Sequence, residues 1–172
     1  MKKFLPKTSK NPQGFTLIEL LVVIAILAVL AVIGLSVFSG LTGKGNDTRR
    51  SSDMKGVSDA LEVTRSKINA SIYVPVDGTS FGGGTIPREP ATRTEHYCFS
   101  SGTSAIANPA DFTGSACPGG WTDLNAATII TPAGCTGGAG SITGCTATYF
   151  KVCTMNDASV TPRAVICQGS KQ

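Results

Sequence analysis

Glu19 is a carboxylate set near the start of an apolar run that extends from Phe15 to about Phe38 and holds no proline, lysine or arginine. A charged side chain within a membrane span costs roughly 2.5–3.5 kcal/mol on insertion scales, so an acid kept there is expected to have a task. Two tasks suit it. Thr16-Leu17-Ile18-Glu19 has the Ser/Thr-x-x-Glu spacing of a capping box, in which the carboxylate covers a free backbone N–H at the helix start. An acid in the first turn is also favoured by the helix dipole. The second task is to neutralise a cation where water is absent, because a lone buried charge is costly. The two are compatible on one side chain.

The other reactive set is six cysteines, Cys98, Cys117, Cys135, Cys145, Cys153 and Cys167, all beyond the apolar run. An even count in an exported region points to three disulfides, for which about 15 connectivities exist. Cys153 and Cys167 stand about equally far from a hairpin centre near Val160, so they are expected to face each other. Cys135–Cys145 is expected as a local loop closure, and Cys98–Cys117 follows by elimination. Zinc fits poorly, since there is no Cys-x-x-Cys and His96 is the only histidine. His96 reads as a surface or strand-edge residue.

No enzyme is expected. One histidine and no Gly-x-Ser-x-Gly, His-Glu-x-x-His or P-loop leave no nucleophile–base pair to name. Gly82-Gly83-Gly84 and Gly137-Gly138 read as loop glycines, because neither follows a strand and opens a helix. Asp111, Asp123 and Asp157 are isolated and match no calcium-loop spacing. No cofactor or metal site is therefore expected.

The elements that position these residues begin with the apolar run. At about 1.5 Å per residue it covers roughly 36 Å, enough to cross a hydrocarbon core. Lys2, Lys3, Lys7 and Lys10 precede it with no acid among them, which holds that end in the cytoplasm. The chain has 15 basic and 11 acidic residues, so removing these four lysines leaves 15 − 4 = 11 of each. The formal charge of +4 thus belongs to the leader. A near-neutral remainder, with few aromatics beside Trp121, makes nucleic acid an unlikely partner. Three readings of this N-terminus compete. A secretory signal peptide has a shorter apolar region and a small-residue cleavage site, which is not evident here. A plain signal anchor leaves Glu19 without a task. The third is a leader cut between Gly14 and Phe15.

That third reading rests on a motif. The segment Gly14-Phe15-Thr16-Leu17-Ile18-Glu19-Leu20-Leu21-Val22-Val23-Ile24-Ala25-Ile26-Leu27-Ala28-Val29-Leu30-Ala31 closely resembles the N-terminus of type IV pilins and type II secretion pseudopilins. The close resemblance covers about residues 14–38, and a looser one extends to about Pro75. It implies removal of residues 1–14 by a membrane-embedded prepilin peptidase and N-methylation of Phe15. The subunit would rest in the cytoplasmic membrane as a single pass with its N-terminus inside. An inner-membrane assembly platform with a cytoplasmic ATPase would then extract it into a helical filament outside the membrane, extracellular or periplasmic. The family assigns the Glu19 position to pairing with the new terminal amine during docking. Ala25, Ala28, Ala31 and Gly34 recur every three residues, a spacing that suits close helix packing in lipid and equally an ordinary span.

Downstream, Ser39-Gly40-Leu41-Thr42-Gly43-Lys44-Gly45-Asn46 carries three glycines, each expected to cost a helix about 1 kcal/mol relative to alanine. A break is expected here, with Asn46 or Asp47 capping a second helical stretch to about Ile72. Met54, Val57, Leu61 and Ile68, with Ala60 and Thr64 nearby, form its apolar stripe. Arg49, Arg50, Lys55, Asp59, Glu62 and Arg65 are expected mostly to face elsewhere. Pro75 and Asp77-Gly78 end it. His96–Ser100, Thr146–Thr154 and Arg163–Gln168 are the strand candidates, the last two forming an antiparallel hairpin. Thr79–Glu95 and Asn108–Gly144 read mostly as loops.

The expected class is α+β. A long N-terminal helix, its first half membrane-spanning, packs on a small antiparallel sheet with disulfide-braced loops. The chain partitions into a cleaved leader (1–14), a transmembrane and assembly helix (15–41), a glycine-rich break with an amphipathic half (42–75), and a β-rich head (76–172). Three functions are open: a structural pilin serving adhesion, motility or DNA uptake, a secretion pseudopilin, and a membrane-anchored exported binding domain that never polymerises.

Overall fold

The computed structural model describes residues 14–68, 71–89, 94–110, 112–157 and 162–170. One compact unit ends at Ser39 and a second begins at Gly40. The principal helix, α1 (Leu17–Ile68), is 52 residues long. In the first unit, the stretch Leu17–Leu35 is long and apolar enough to cross a membrane, and every side chain along it is exposed. Nineteen residues advance about 28 Å at about 1.5 Å each, close to the about 30 Å of a hydrocarbon core. Helix is the form that satisfies every backbone polar group internally in such a medium.

Helical geometry is unbroken across Gly43 and Gly45, so no cap forms at Asn46 or Asp47. Their side chains turn to the head instead. Asn46 Nδ2 donates to Asp157 Oδ2 at 2.9 Å, and Asp47 Oδ1 accepts from the Asp157 backbone N–H at 2.6 Å. The described helix runs to Ile68, and Ser71 and Ile72 lie in a turn and a bend, short of the expected end near Ile72.

In the second unit, Met54, Val57, Ala60 and Leu61 are buried, at the three- and four-residue steps that align one helix face. Met54, Val57 and Leu61 share a core with Tyr73, Val76, Tyr97, Phe99, Leu124, Ile130, Phe150 and Val152. The Tyr73 and Phe150 rings meet edge to face with centroids 4.8 Å apart. Ile68, expected in this stripe, is 42 % exposed at the helix end.

Two ladders complete the fold. The strands are β1 (Val76–Asp77), β2 (Cys98–Gly102), β3 (Thr122–Asp123), β4 (Ile129–Ile130), β5 (Tyr149–Met155) and β6 (Val165–Gly169). β1 pairs with β4, and a four-stranded antiparallel sheet runs β3-β2-β5-β6. The long strands start two or three residues beyond the expected starts, because pairing sets the limits. Ser101 and Gly102 find partners in Phe150 and Tyr149, whereas the His96 N–H leaves the ladder for the Gly114 carbonyl at 2.8 Å. The region expected mostly as loop, 108–144, contributes the two-residue strands β3 and β4, too short to carry a period-2 signal.

Alternation along β5 divides the two faces. Phe150 and Val152 enter the helix-side core, while Cys153 and Met155 join Cys98, Cys117, Phe112, Trp121, Val165 and Cys167 on the other side. Two of the disulfides lie in this second cluster, where cystine takes the place of larger apolar side chains.

Candidate functional site

Gly14, Phe15 and Thr16 precede the first helical residue. Phe15 is 88 % exposed, and a Cβ built on Gly14 would meet nothing within 4 Å. The peptide bond between them therefore lies in open, non-helical backbone.

Thr16 closes the helix start. Its carbonyl accepts from the Leu20 N–H at 3.3 Å, and its hydroxyl oxygen accepts from the Glu19 N–H at 3.3 Å. Glu19 reaches back in return. One carboxylate oxygen, Oε2, accepts from the Thr16 N–H at 2.8 Å and from the Thr16 hydroxyl at 2.9 Å. This is a complete capping box, and it satisfies two donors that the helix geometry leaves over. It uses one carboxylate oxygen of the pair; Oε1 accepts no hydrogen bond from the described residues. Ala25, Ala28, Ala31 and Gly34 line an uncovered stem, and a Cβ added at Gly34 would touch nothing.

The head brings the cysteines together as Cys98–Cys117, Cys135–Cys145 and Cys153–Cys167, with Cα separations of 5.4, 4.0 and 4.1 Å. Register places Cys153 directly opposite both Cys167 on β6 and Cys98 on β2. Cys98 is bonded to Cys117, which comes from the loop before β3.

His96 Nδ1 lies 2.7 Å from Asp123 Oδ2, half-buried beside β3. Asp157 belongs to a different cluster, and Asp111 lies outside the described residues. Among the described residues, no group of three or more His, Cys, Asp or Glu is placed to hold a metal.

The residue that the pattern misplaced is Arg50. Expected to face away from the core, its side chain is 1 % exposed. Its Nη2 lies 2.5 Å from Glu89 Oε1 and 3.2 Å from Glu95 Oε2; its Nη1 lies 2.8 Å from Asp47 Oδ1 and 3.7 Å from Asp157 Oδ2. Nε donates to Glu89 Oε1 at 3.0 Å, and Arg163 approaches the other Glu95 oxygen at 3.4 Å. Asn125 fastens the same loop, accepting from the Glu89 N–H at 3.2 Å and donating to the Glu95 carbonyl at 3.3 Å. Burial by itself would lower the Arg50 pKa. The hydrogen bonds and charges of Glu89, Asp47 and Glu95 outweigh it and hold the guanidinium above its ordinary value. A signal was present in the sequence: Arg50 stands four residues before Met54, on the same helical stripe. The cluster ties α1 to the loop before β2 and to the segment just after β5.

Two buried tyrosines reach acids on α1. Tyr97 Oη donates to Asp53 Oδ2 at 2.9 Å, and Tyr73 Oη to Glu62 Oε1 at 2.7 Å. Burial first, and the neighbouring carboxylates second, push both phenols well above their usual range.

Residues 9–35 match the family model of the prokaryotic N-terminal methylation motif, the prepilin-type leader of type IV pilins and pseudopilins. The match covers the Gly14–Phe15 bond, the capping box and the apolar stem. No curated protein and no solved structure matches the chain.

Proposed function

We propose that this chain is the structural subunit of a type IV pilus-like filament. In this reading a prepilin peptidase removes residues 1–14, and Phe15 becomes the methylated N-terminus. The stem holds the subunit in the cytoplasmic membrane with the head outside. An assembly platform driven by a cytoplasmic ATPase moves it into the polymer, where the stems pack on one another. The single observation that carries this is an apolar stem, uncovered over Leu17–Leu35, headed by a matched methylation motif. An apolar surface of that extent needs lipid or other stems around it.

Glu19 fits both stages. In the uncut chain its Oε2 caps the helix. Once the leader is gone, Oε1 is available for the amine at Phe15, on the same chain or a neighbour. Pairing matters where water is excluded, since a lone charge there is costly. Glu19→Gln separates the roles, because glutamine serves a capping box but carries no charge. The variant is expected to insert in the membrane and to be missing from sheared filaments. A normal filament yield would refute the pairing role.

A secretion pseudopilin shares the motif, and filament length and abundance distinguish the two. A non-polymerising anchored binding domain would give no filament at all.

A further inference from the structure

A groove runs along the flank of α1 in the second unit, beside the face that carries Arg50. Two clefts of about 410 and 350 Å³ meet over Gly56, Phe81 and Gly82. Together they run along α1 from Arg49 to Lys67, walled by the loop 79–88. That wall is a built structure. Asp77 Oδ1 accepts from the Thr79 N–H at 3.0 Å and from its hydroxyl at 2.6 Å. Phe81 N–H donates to the Gly78 carbonyl at 3.1 Å, and Gly84 N–H to the Phe81 carbonyl at 2.9 Å.

Gly56 forms part of the floor in mid-helix. A Cβ there would meet nothing within 4 Å, so the chain's own packing does not demand glycine. Glycine in a helix interior is nonetheless less stable than alanine by about 1 kcal/mol. The open space over Gly56 leaves room for another backbone to approach the helix closely.

Charge identifies the visitor. Arg49 is paired with Asp53 at 3.6 Å, and Lys55 with Asp59 at 2.9 Å. The groove lining holds Arg49, Lys67 and Arg88 against Asp53 and Asp59, a balance of 3 − 2 = +1, and Arg88 at one end and Lys67 at the other make no ion pair among the described residues. From Arg49 to Lys67 the helix advances about 27 Å, the reach of about eight residues of extended chain.

We infer that this groove binds an extended acidic segment of a partner protein, its backbone lying over Gly56 and its carboxylates reaching Arg88 and Lys67. The test is fluorescence anisotropy with the full chain in detergent micelles. The probe is a labelled peptide of Gly-Asp repeated four times, with Gly-Asn repeated four times as the uncharged control. Saturable binding is expected for the acidic peptide, at least tenfold tighter than for the control and weakened by added salt. The double variant Lys67→Glu/Arg88→Glu, and separately Gly56→Leu, should each weaken it at least tenfold. Gly56→Ala should unfold at a higher temperature than the parent, showing that the glycine is not there for stability. No saturable binding, equal binding of both peptides, or binding unchanged in the charge-reversed variant would overturn the inference.

Discussion

At the scale of single residues, Thr16 and Glu19 show how little sequence is needed when two groups lie on one helix turn. Their spacing fixed the capping box, and hydrogen bonds of 2.8, 2.9 and 3.3 Å realise it. Arg50 shows the opposite case. Its position on the Met54–Val57–Leu61 stripe was readable, but its carboxylate partners Glu89, Glu95 and Asp157 lie 39 residues or more away, and only the fold brings them near. Removing one member of a buried ionic cluster strands the others, typically at about 3–5 kcal/mol. Arg50→Ala is expected to lose stability in that range by urea unfolding, and Arg50→Lys to lose part of it, because a lysine cannot fork between two acids. A loss below about 1 kcal/mol for the alanine variant would mean that the cluster contributes no more than a surface pair.

Tyr73 and Tyr97 make a pH prediction. Both phenols have a raised folded-state pKa, so the folded chain holds these protons more tightly than the unfolded chain. The stabilisation is fully present below the unfolded tyrosine value of about 10 and is lost as pH rises beyond it. Unfolding temperature should therefore fall above about pH 10, and Tyr73→Phe with Tyr97→Phe should flatten that limb. An unchanged alkaline limb in the double variant would contradict the assignment.

At the scale of elements, the hairpin was legible because β5 and β6 are long enough to show a pattern, and Cys153 and Cys167 lie in register across them. Strands β3 and β4 were not, since two residues have no periodicity. The Cys153–Cys167 bond closes 14 residues of chain inside the second cluster, and Cys135–Cys145 closes 10 in a half-exposed loop. A closed loop of about 15 residues contributes about 3 kcal/mol in the chain-entropy model. Replacing Cys153 and Cys167 by serine should cost about that much plus the lost packing, and more than the same change at Cys135 and Cys145. Equal losses would show that the second cluster adds nothing.

The glycine-rich stretch is a separate lesson at this scale. Local propensity argued for a break at 39–46, yet helical geometry continues through it and the head engages Asn46 and Asp47. Low propensity weakens a helix locally without requiring that it end there. Amides of 39–46 are expected to exchange faster than those of 20–35 in assembled filaments. Slow exchange throughout 39–46 would exclude melting on assembly.

At the scale of the whole molecule, the matched methylation motif lies at the leader and stem, and the head is a disulfide-braced α+β body in which, among the described residues, no group of three or more His, Cys, Asp or Glu is placed to hold a metal. The proposed activity is polymerisation, and it depends on an amine that exists only after processing. Mass spectrometry of the N-terminal peptide from membrane and filament fractions tests this most directly. The account predicts a peptide that begins at Phe15 and carries one methyl group on its α-amino nitrogen. A mature protein that still begins at Met1 and retains Gly14 would contradict it.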